Sequence, residues 1–329
     1  MKIMVFQKAD IALITEIILQ ADSTGIPSHG VQRLKYYDSR IKSGQIKIHN
    51  QAKIIKETPI SAVVDGQAAM GQLTGKKSMD LAIKKAQATG IGIVTVRNSN
   101  HYGIAGYYAQ QAAEAGLIGL SLTNSRAIMV PTKARQPFVG TNPIAFGMSG
   151  VDDRFLFDAA TTTVSYGKVQ VYEKRQLPHP ETWTLADYSP SFVGEKGGLA
   201  PLGGFKEDSG SHKGFGLGLI VELLTAIISE GATSDQISDN GGICHFFLVI
   251  NPTLFGDEKV IQKGLDAYLD RIRQANRLDA DVPIFIPGDK ELKAEEETEK
   301  KGIPVDEVTI AELQAIAGEA QIPFPDSIN

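Results

Sequence analysis

The chain has 329 residues, with 33 lysines and arginines against 38 aspartates and glutamates, a formal net charge of -5, and 42% hydrophobic residues. This is the composition of a folded globular protein, long enough for one large domain or two small ones. Its mild acidity offers no basic stripe for phosphates, which argues against a nucleic-acid partner, and the single cysteine, Cys244, excludes an intrachain disulfide and fits a reducing compartment.

In chain order, Ile11, Ile14, Ile17 and Ile18 recur at helical spacing and predict an amphipathic helix over residues 8–21. Lys8, Asp10 and Glu16 interrupt that stretch, so it does not read as a signal peptide. Helices are expected over 78–89 and 103–115, ended by Gly90 and Gly116, and each is followed by a β-rich run, 91–96 and 117–122. Helix alternating with strand is an α/β rhythm. Short strands are expected over 155–158 and 169–172 around a Thr-rich stretch. Pro178 and Pro180 then break the chain, and 188–210 reads as a long loop. A strong helix over 215–230, a strand over 245–250 and helices over 257–276 and 309–318 complete the pattern, with a charge run at 289–301 read as a solvated helix face. The longest apolar run, 215–228, is cut by Glu222 and too short to span a bilayer, so the protein is expected to be cytoplasmic with no membrane partner.

Neither Gly-x-Gly-x-x-Gly nor Gly-x-x-x-x-Gly-Lys-[Ser/Thr] occurs, which removes sequence support for a Rossmann domain or a P-loop. Of the six histidines, two lie in unusual surroundings. His29 follows Ser28 and precedes Arg33. That turn reads equally well as a helix start capped by Ser28 and as a proton donor beside a carboxylate clamp. His101 stands where a strand gives way to a helix, the place where open α/β sheets hold ligands. Polar loops at Thr123-Asn124-Ser125 and Gly140-Thr141-Asn142-Pro143, the carboxylate Asp158 ahead of small residues, and a cation with glycines at Lys213-Gly214-Phe215-Gly216 are further candidates. No His-Glu-x-x-His supports a metal and no Gly-x-Ser-x-Gly supports a serine hydrolase, so no metal is assigned.

In register, the segments 21–30 with Arg33, 98–108, 123–125, 140–143, 158–162, Gly167-Lys168, 201–204, His212-Lys213-Gly214 with Glu222, and Pro287-Gly288-Asp289 resemble the malate/L-lactate dehydrogenase family that is distinct from the Rossmann-fold enzymes, with sulfolactate, ureidoglycolate and 2,3-diketogulonate oxidoreductases as relatives. The resemblance implies a non-Rossmann, three-layer α/β fold with a mixed, partly antiparallel seven-stranded sheet, forming a homodimer. It implies a single oxidoreductase unit, with a cofactor-binding core near 75–250 and helical, substrate and dimerisation parts at 1–74 and 251–329. It further implies hydride transfer between NAD or NADP and C2 of a 2-hydroxy or 2-oxo acid. The insert at 205–211 resembles the malate branch, which points to malate, with L-lactate, sulfolactate or ureidoglycolate as alternatives. A shortened, non-catalytic ligand-binding member is the reading from another class.

By the same resemblance, His29 or His101 exchanges the proton, Ser28 and Asp158 support it, and Arg33 grips the substrate carboxylate. Ser125, Asn142, Asp158, Ala159, Ala160, Thr161, Thr162, His212, Lys213, Gly214, Gly288 and Asp289 would hold the cofactor. Family members usually carry one more helix ahead of the segment that starts here at Lys8, and the sequence departs from them there.

Overall fold

The computed structural model describes residues 6–174, 176–184, 198–238 and 241–325. Seven strands, β1 (Lys53–Glu57), β2 (Ser61–Asp65), β3 (Ile91–Ser99), β4 (Ile118–Thr123), β5 (Ile144–Ser149), β6 (Arg154–Ala159) and β7 (Ile243–Ile250), form one open sheet in the order β1-β2-β3-β7-β4-β5-β6. Only β2 and β3 pair in parallel, and the other neighbours are antiparallel. The parallel pair needs a crossover, and the helix over Gly71–Thr89 supplies it.

The helices are α1 (Lys8–Ser23), α2 (Leu34–Lys42), α3 (Gly71–Thr89), α4 (Ala105–Glu114), α5 (Tyr166–Lys174), α6 (Ser211–Glu222), α7 (Glu258–Arg273), α8 (Asp289–Lys301) and α9 (Glu307–Ala320). Successive side chains of a strand face opposite ways, and β7 shows the result. Phe247 and Val249 join Ile17 of α1, Met79 and Ala82 of α3 and Tyr108 of α4 in one core. Phe246 and Leu248 pack on the other face with Val221 of α6 and Leu224 of its π-helical continuation, Leu223–Ile227. Helices therefore cover both faces, giving three layers, and burying a side chain such as Phe247 stabilises the fold by about 1.5–3 kcal/mol. No helix among the described residues is long and apolar enough to cross a membrane.

Most predicted elements are present with shifted ends. Residues 169–172 are a correction: they lie inside α5, not in a strand. The valines there favour a strand locally, but Val169 is fully buried against Ile128 and Leu199, and that packing decides. The sequence reading also missed β1, β2 and β5, and it began α3 seven residues late because Gly71 and Gly75 are poor helix formers. Gly71 is there for close approach: a Cβ would stand 2.2 Å from the carbonyl oxygens of Asn100 and His101. Residues 1–5 and the loop portion 188–197 lie outside the described residues.

β7 carries a polar group into the centre of the sheet. His245 is fully buried, with Nδ1 2.8 Å from Thr123 Oγ1 and Nε2 2.9 Å from Ser99 Oγ, and its ring is stacked on Tyr102 at 4.4 Å. Burial lowers its pKa from 6.5 to about 3. The folded state thus keeps it neutral while the unfolded chain protonates it, so its contribution is full above 6.5 and is lost as pH falls towards 3. Asp22 runs the other way: burial pushes its carboxyl up to about 6, so falling pH relieves the cost of keeping it ionised. We expect the drop in unfolding free energy between about pH 7 and pH 4 to be smaller by about 3 kcal/mol in His245→Gln than in the wild type, measured by urea denaturation. Equal drops would show that the imidazole is not held neutral.

Candidate active site

A cavity of about 570 Å³ opens where the end of β6 meets the N-terminus of α4. Its lining includes Ser28, His29, Ile104, Thr141, residues 157–165, Leu217 and Glu291. The volume suits a small-molecule site, and Ala159, Ala160 and the threonines present little side-chain bulk to a planar ring.

The turn after α1 builds one wall. Two short 3-10 segments, Pro27–His29 and Val31–Arg33, precede α2, so Ser28 does not cap a helix as the sequence reading allowed. The cause is Asp22, whose Oδ2 accepts the Val31 N–H at 2.8 Å and pins the chain in the turn. Ser28 Oγ instead bonds His29 Nδ1 at 2.9 Å, and Arg33 Nε donates to the Ser28 carbonyl at 2.7 Å. No carboxylate among the described residues pairs with Arg33, and its Nη2 lies against Gly167 of α5.

The second histidine arrives from the end of β3. Asn100 Nδ2 donates to the carbonyls of Ala68 and Ala69 at 3.0 and 2.9 Å, fixing the strand-to-helix loop. The His101 ring then stacks on His29, centroids 5.4 Å apart at 20°, and its Nδ1 lies 2.7 Å from the buried Tyr37 hydroxyl. Burial and then the nearby Arg33 charge lower His29 to about 3, and burial, His29 and Arg33 hold His101 well below its ordinary value. Both imidazoles are neutral near pH 7.

Asp158 stands at the end of β6. Its Oδ2 accepts the Gly106 N–H at 2.6 Å, capping α4 where the helix dipole favours an anion, and neither imidazole is among its hydrogen-bond partners. Although it opens onto the cavity, desolvation by the surrounding protein pushes its carboxyl up to about 6, with Glu291 adding to the rise.

The other candidates divide. Ala159, Ala160, Thr161 and Thr162 line the cavity. Ser125 lies behind Thr141 and accepts its N–H at 3.0 Å. Asn142 is fully buried and does not line the cavity. Its Nδ2 donates to Gly218 O and Glu222 Oε2, and Glu222 also accepts from Asn124 and Ser234, a buried carboxylate served by neutral donors. Likewise, Asp289 does not line the cavity: Arg273 of α7 holds its carboxylate at 2.7 Å, so it joins α7 to α8. Gly288 packs on Leu156, Gly214 packs on the Leu202 backbone, and His212 and Lys213 are exposed in the first turn of α6. The sequence reading missed Glu291, hidden inside a charge run. Its one signal was its place in the first turn of α8.

A non-Rossmann α/β fold thus brings two histidines and a guanidinium with no carboxylate partner among the described residues to or beside a cavity lined by small residues. A family model described as malate/L-lactate dehydrogenase matches residues 2–314, and the chain belongs to that family. It is 42% identical over 317 residues to a malate dehydrogenase of Pyrococcus abyssi, covering 94% of this chain and 88% of that one. It is 33% identical over 331 residues to an L-sulfolactate dehydrogenase of Methanocaldococcus jannaschii, covering 97% and 93%. The solved malate dehydrogenase of Pyrococcus horikoshii OT3 superposes with a TM-score of 0.89 at 38% identity, covering 97% of this chain and 91% of that one. The chain is therefore a dehydrogenase, and such chemistry implies a nicotinamide cofactor.

One close approach tests this geometry. A Cβ on Gly167 of α5 would lie 2.5 Å from Arg33 Nη2 and 2.8 Å from Ser28 Cβ. In a helix, Gly→Ala by itself stabilises by about 1 kcal/mol. Gly167→Ala is expected to raise the substrate KM about tenfold or more while thermal stability changes by no more than a few degrees, because a misplaced guanidinium loses a charge-assisted bond. An unchanged KM would show that Arg33 does not meet the substrate.

Proposed function

We propose that the protein is a cytoplasmic NAD- or NADP-dependent 2-hydroxy-acid dehydrogenase acting on malate and oxaloacetate. The observation that carries the reading is Arg33, a guanidinium with no carboxylate partner among the described residues, whose Nε donates to the carbonyl of Ser28, a residue that lines the cavity next to His29. Two Nη groups offer a bidentate grip on the carboxylate at C1, which a lysine cannot reproduce. The likeness to the malate dehydrogenases supports malate over the alternatives, L-lactate, sulfolactate and ureidoglycolate. When bound, the nicotinamide exchanges the hydride with C2 of the acid.

The protein's part is binding, orientation and the proton. His29 lines the cavity and is neutral, so it accepts the hydroxyl proton as a 2-hydroxy acid is oxidised. Its low proton affinity comes partly from Arg33, and a substrate carboxylate that neutralises Arg33 raises it at the moment of need. Ser28 Oγ on Nδ1 orients the ring. In reduction the same imidazole, carrying its proton, returns it to the C2 oxygen.

His29→Gln is expected to lower kcat by about 10²–10⁴-fold. Arg33→Lys should raise KM for the acid with a smaller change in kcat. Both are read as absorbance at 340 nm with NADH and NADPH against oxaloacetate, pyruvate and sulfopyruvate. Full activity in both variants, or no turnover of any substrate despite cofactor binding, would overturn the reading.

We also propose a homodimer through α6. Leu217, Ile220, Leu223 and Ile227 form one stripe, 37%, 50%, 54% and 53% exposed, too apolar a face to leave in water. Leu217 also lines the cavity, so a second copy on this face would border the site. Ile220→Glu with Leu223→Glu is expected to halve the mass seen by light scattering, and a wild type already monomeric would refute the assignment.

A further inference from the structure

Two groups meet one nitrogen of His101. The Tyr37 hydroxyl lies 2.7 Å from Nδ1, and the Gly103 backbone N–H points at the same atom from 3.4 Å. A hydroxyl can give or take a hydrogen bond, so Tyr37 alone leaves the tautomer open. A backbone N–H can only donate, so the Gly103 contact is a hydrogen bond only where Nδ1 presents its single lone pair, which the two donors then share. Tyr37 then has to donate as well, and the imidazole proton is left on Nε2. Burial also keeps the Tyr37 hydroxyl protonated, by raising its pKa far above the ordinary range.

We propose that Tyr37 and the Gly103 N–H together lock His101 as the Nε2–H tautomer, so that Tyr37 is a positioning residue and His101 enters the reaction as a hydrogen-bond donor, leaving the proton acceptance to His29. The proposal rests on the dehydrogenase reading for its role and on geometry alone for the tautomer. A neutral imidazole that donates through Nε2–H can polarise the C2 carbonyl of a 2-oxo acid and steady the negative charge that grows on its oxygen. The stacked arrangement fits this division of labour. With ring centroids 5.4 Å apart and Arg33 close to both, a second positive charge on the pair is disfavoured, so one ring can cycle its proton only if the other stays neutral. The lock also has rigid support. Tyr37 is buried in α2 among Ile14, Ile18 and Met70, and Gly103 sits in the left-handed region at φ 87°, which aims its N–H back at the ring.

The test is long-range ¹H–¹⁵N correlation on ¹⁵N-histidine-labelled full-length protein without substrate, with the His101 signals assigned by their loss in His101→Gln. The expected pattern is a protonated Nε2 and an unprotonated, hydrogen-bonded Nδ1. In Tyr37→Phe, which removes one hydroxyl from a buried ring, the Nδ1 signal should move towards the free-base position. The kcat of Tyr37→Phe should fall roughly five- to tenfold, the equivalent of one ordinary hydrogen bond, with KM nearly unchanged. A protonated Nδ1 in the wild type overturns the proposal, as does a Tyr37→Phe protein whose Nδ1 signal or kcat does not move. Because the tautomer is read without turnover, its failure is distinct from a failure of the dehydrogenase reading.

Discussion

The site depends on β7 lying between β3 and β4 with a neutral histidine at its centre. His245 bonds Ser99 at the end of β3 and Thr123 at the end of β4, and these strand ends lead into the loops of His101 and Ser125. A charged ring there would bury an ion with hydroxyl and backbone partners but no carboxylate among them, so the bridge favours an unprotonated His245. The same ring stacks on Tyr102, whose carbonyl accepts the Tyr108 hydroxyl at 2.6 Å. Sheet and helix layer are thus joined just behind the loop of His101.

A second constraint is that buried charge is met by neutral donors. Glu222 accepts from Asn124, Asn142 and Ser234, holding α6, the end of β4 and the loop before β5 together. Asp22 takes one backbone N–H and fixes the turn of His29 and Arg33, and Asp158 takes another and caps α4. Each carboxylate therefore shapes a wall of the cavity while leaving Arg33 unpaired. A guanidinium without a carboxylate partner in a partly buried place is costly to desolvate, and the proposed grip on a substrate carboxylate would offset that cost.

Periodicity and turn residues in the sequence showed α1, most of α3, α4, α6, α7, α9, β3, β4, β6 and β7, and a charge run showed α8. They did not show β1, whose five residues are all exposed, or the helical state of 169–172, where packing overrode β propensity. Order along the chain, read as a family resemblance, identified His29, Arg33, His101 and the 158–162 segment, and all of these gather at or beside the cavity. Order could not separate residues that face the cavity from those that support it. Asn142 and Asp289 share the motifs of the lining residues, yet one is locked under Glu222 and the other under Arg273.

By itself, the sequence determined a non-Rossmann α/β dehydrogenase with two histidines and an arginine in play, because missing glycine fingerprints and motif order are properties of the chain alone. Only the tertiary structure decided what each group touches. The stacking of His29 on His101, the convergence of Tyr37 and Gly103 on one nitrogen, the use of Asp158 as a helix cap and the place of Glu291 in the lining all join elements far apart in sequence. Direction of a hydrogen bond and exclusion of water exist only once those elements are packed, and these two quantities set the protonation state on which the chemistry turns.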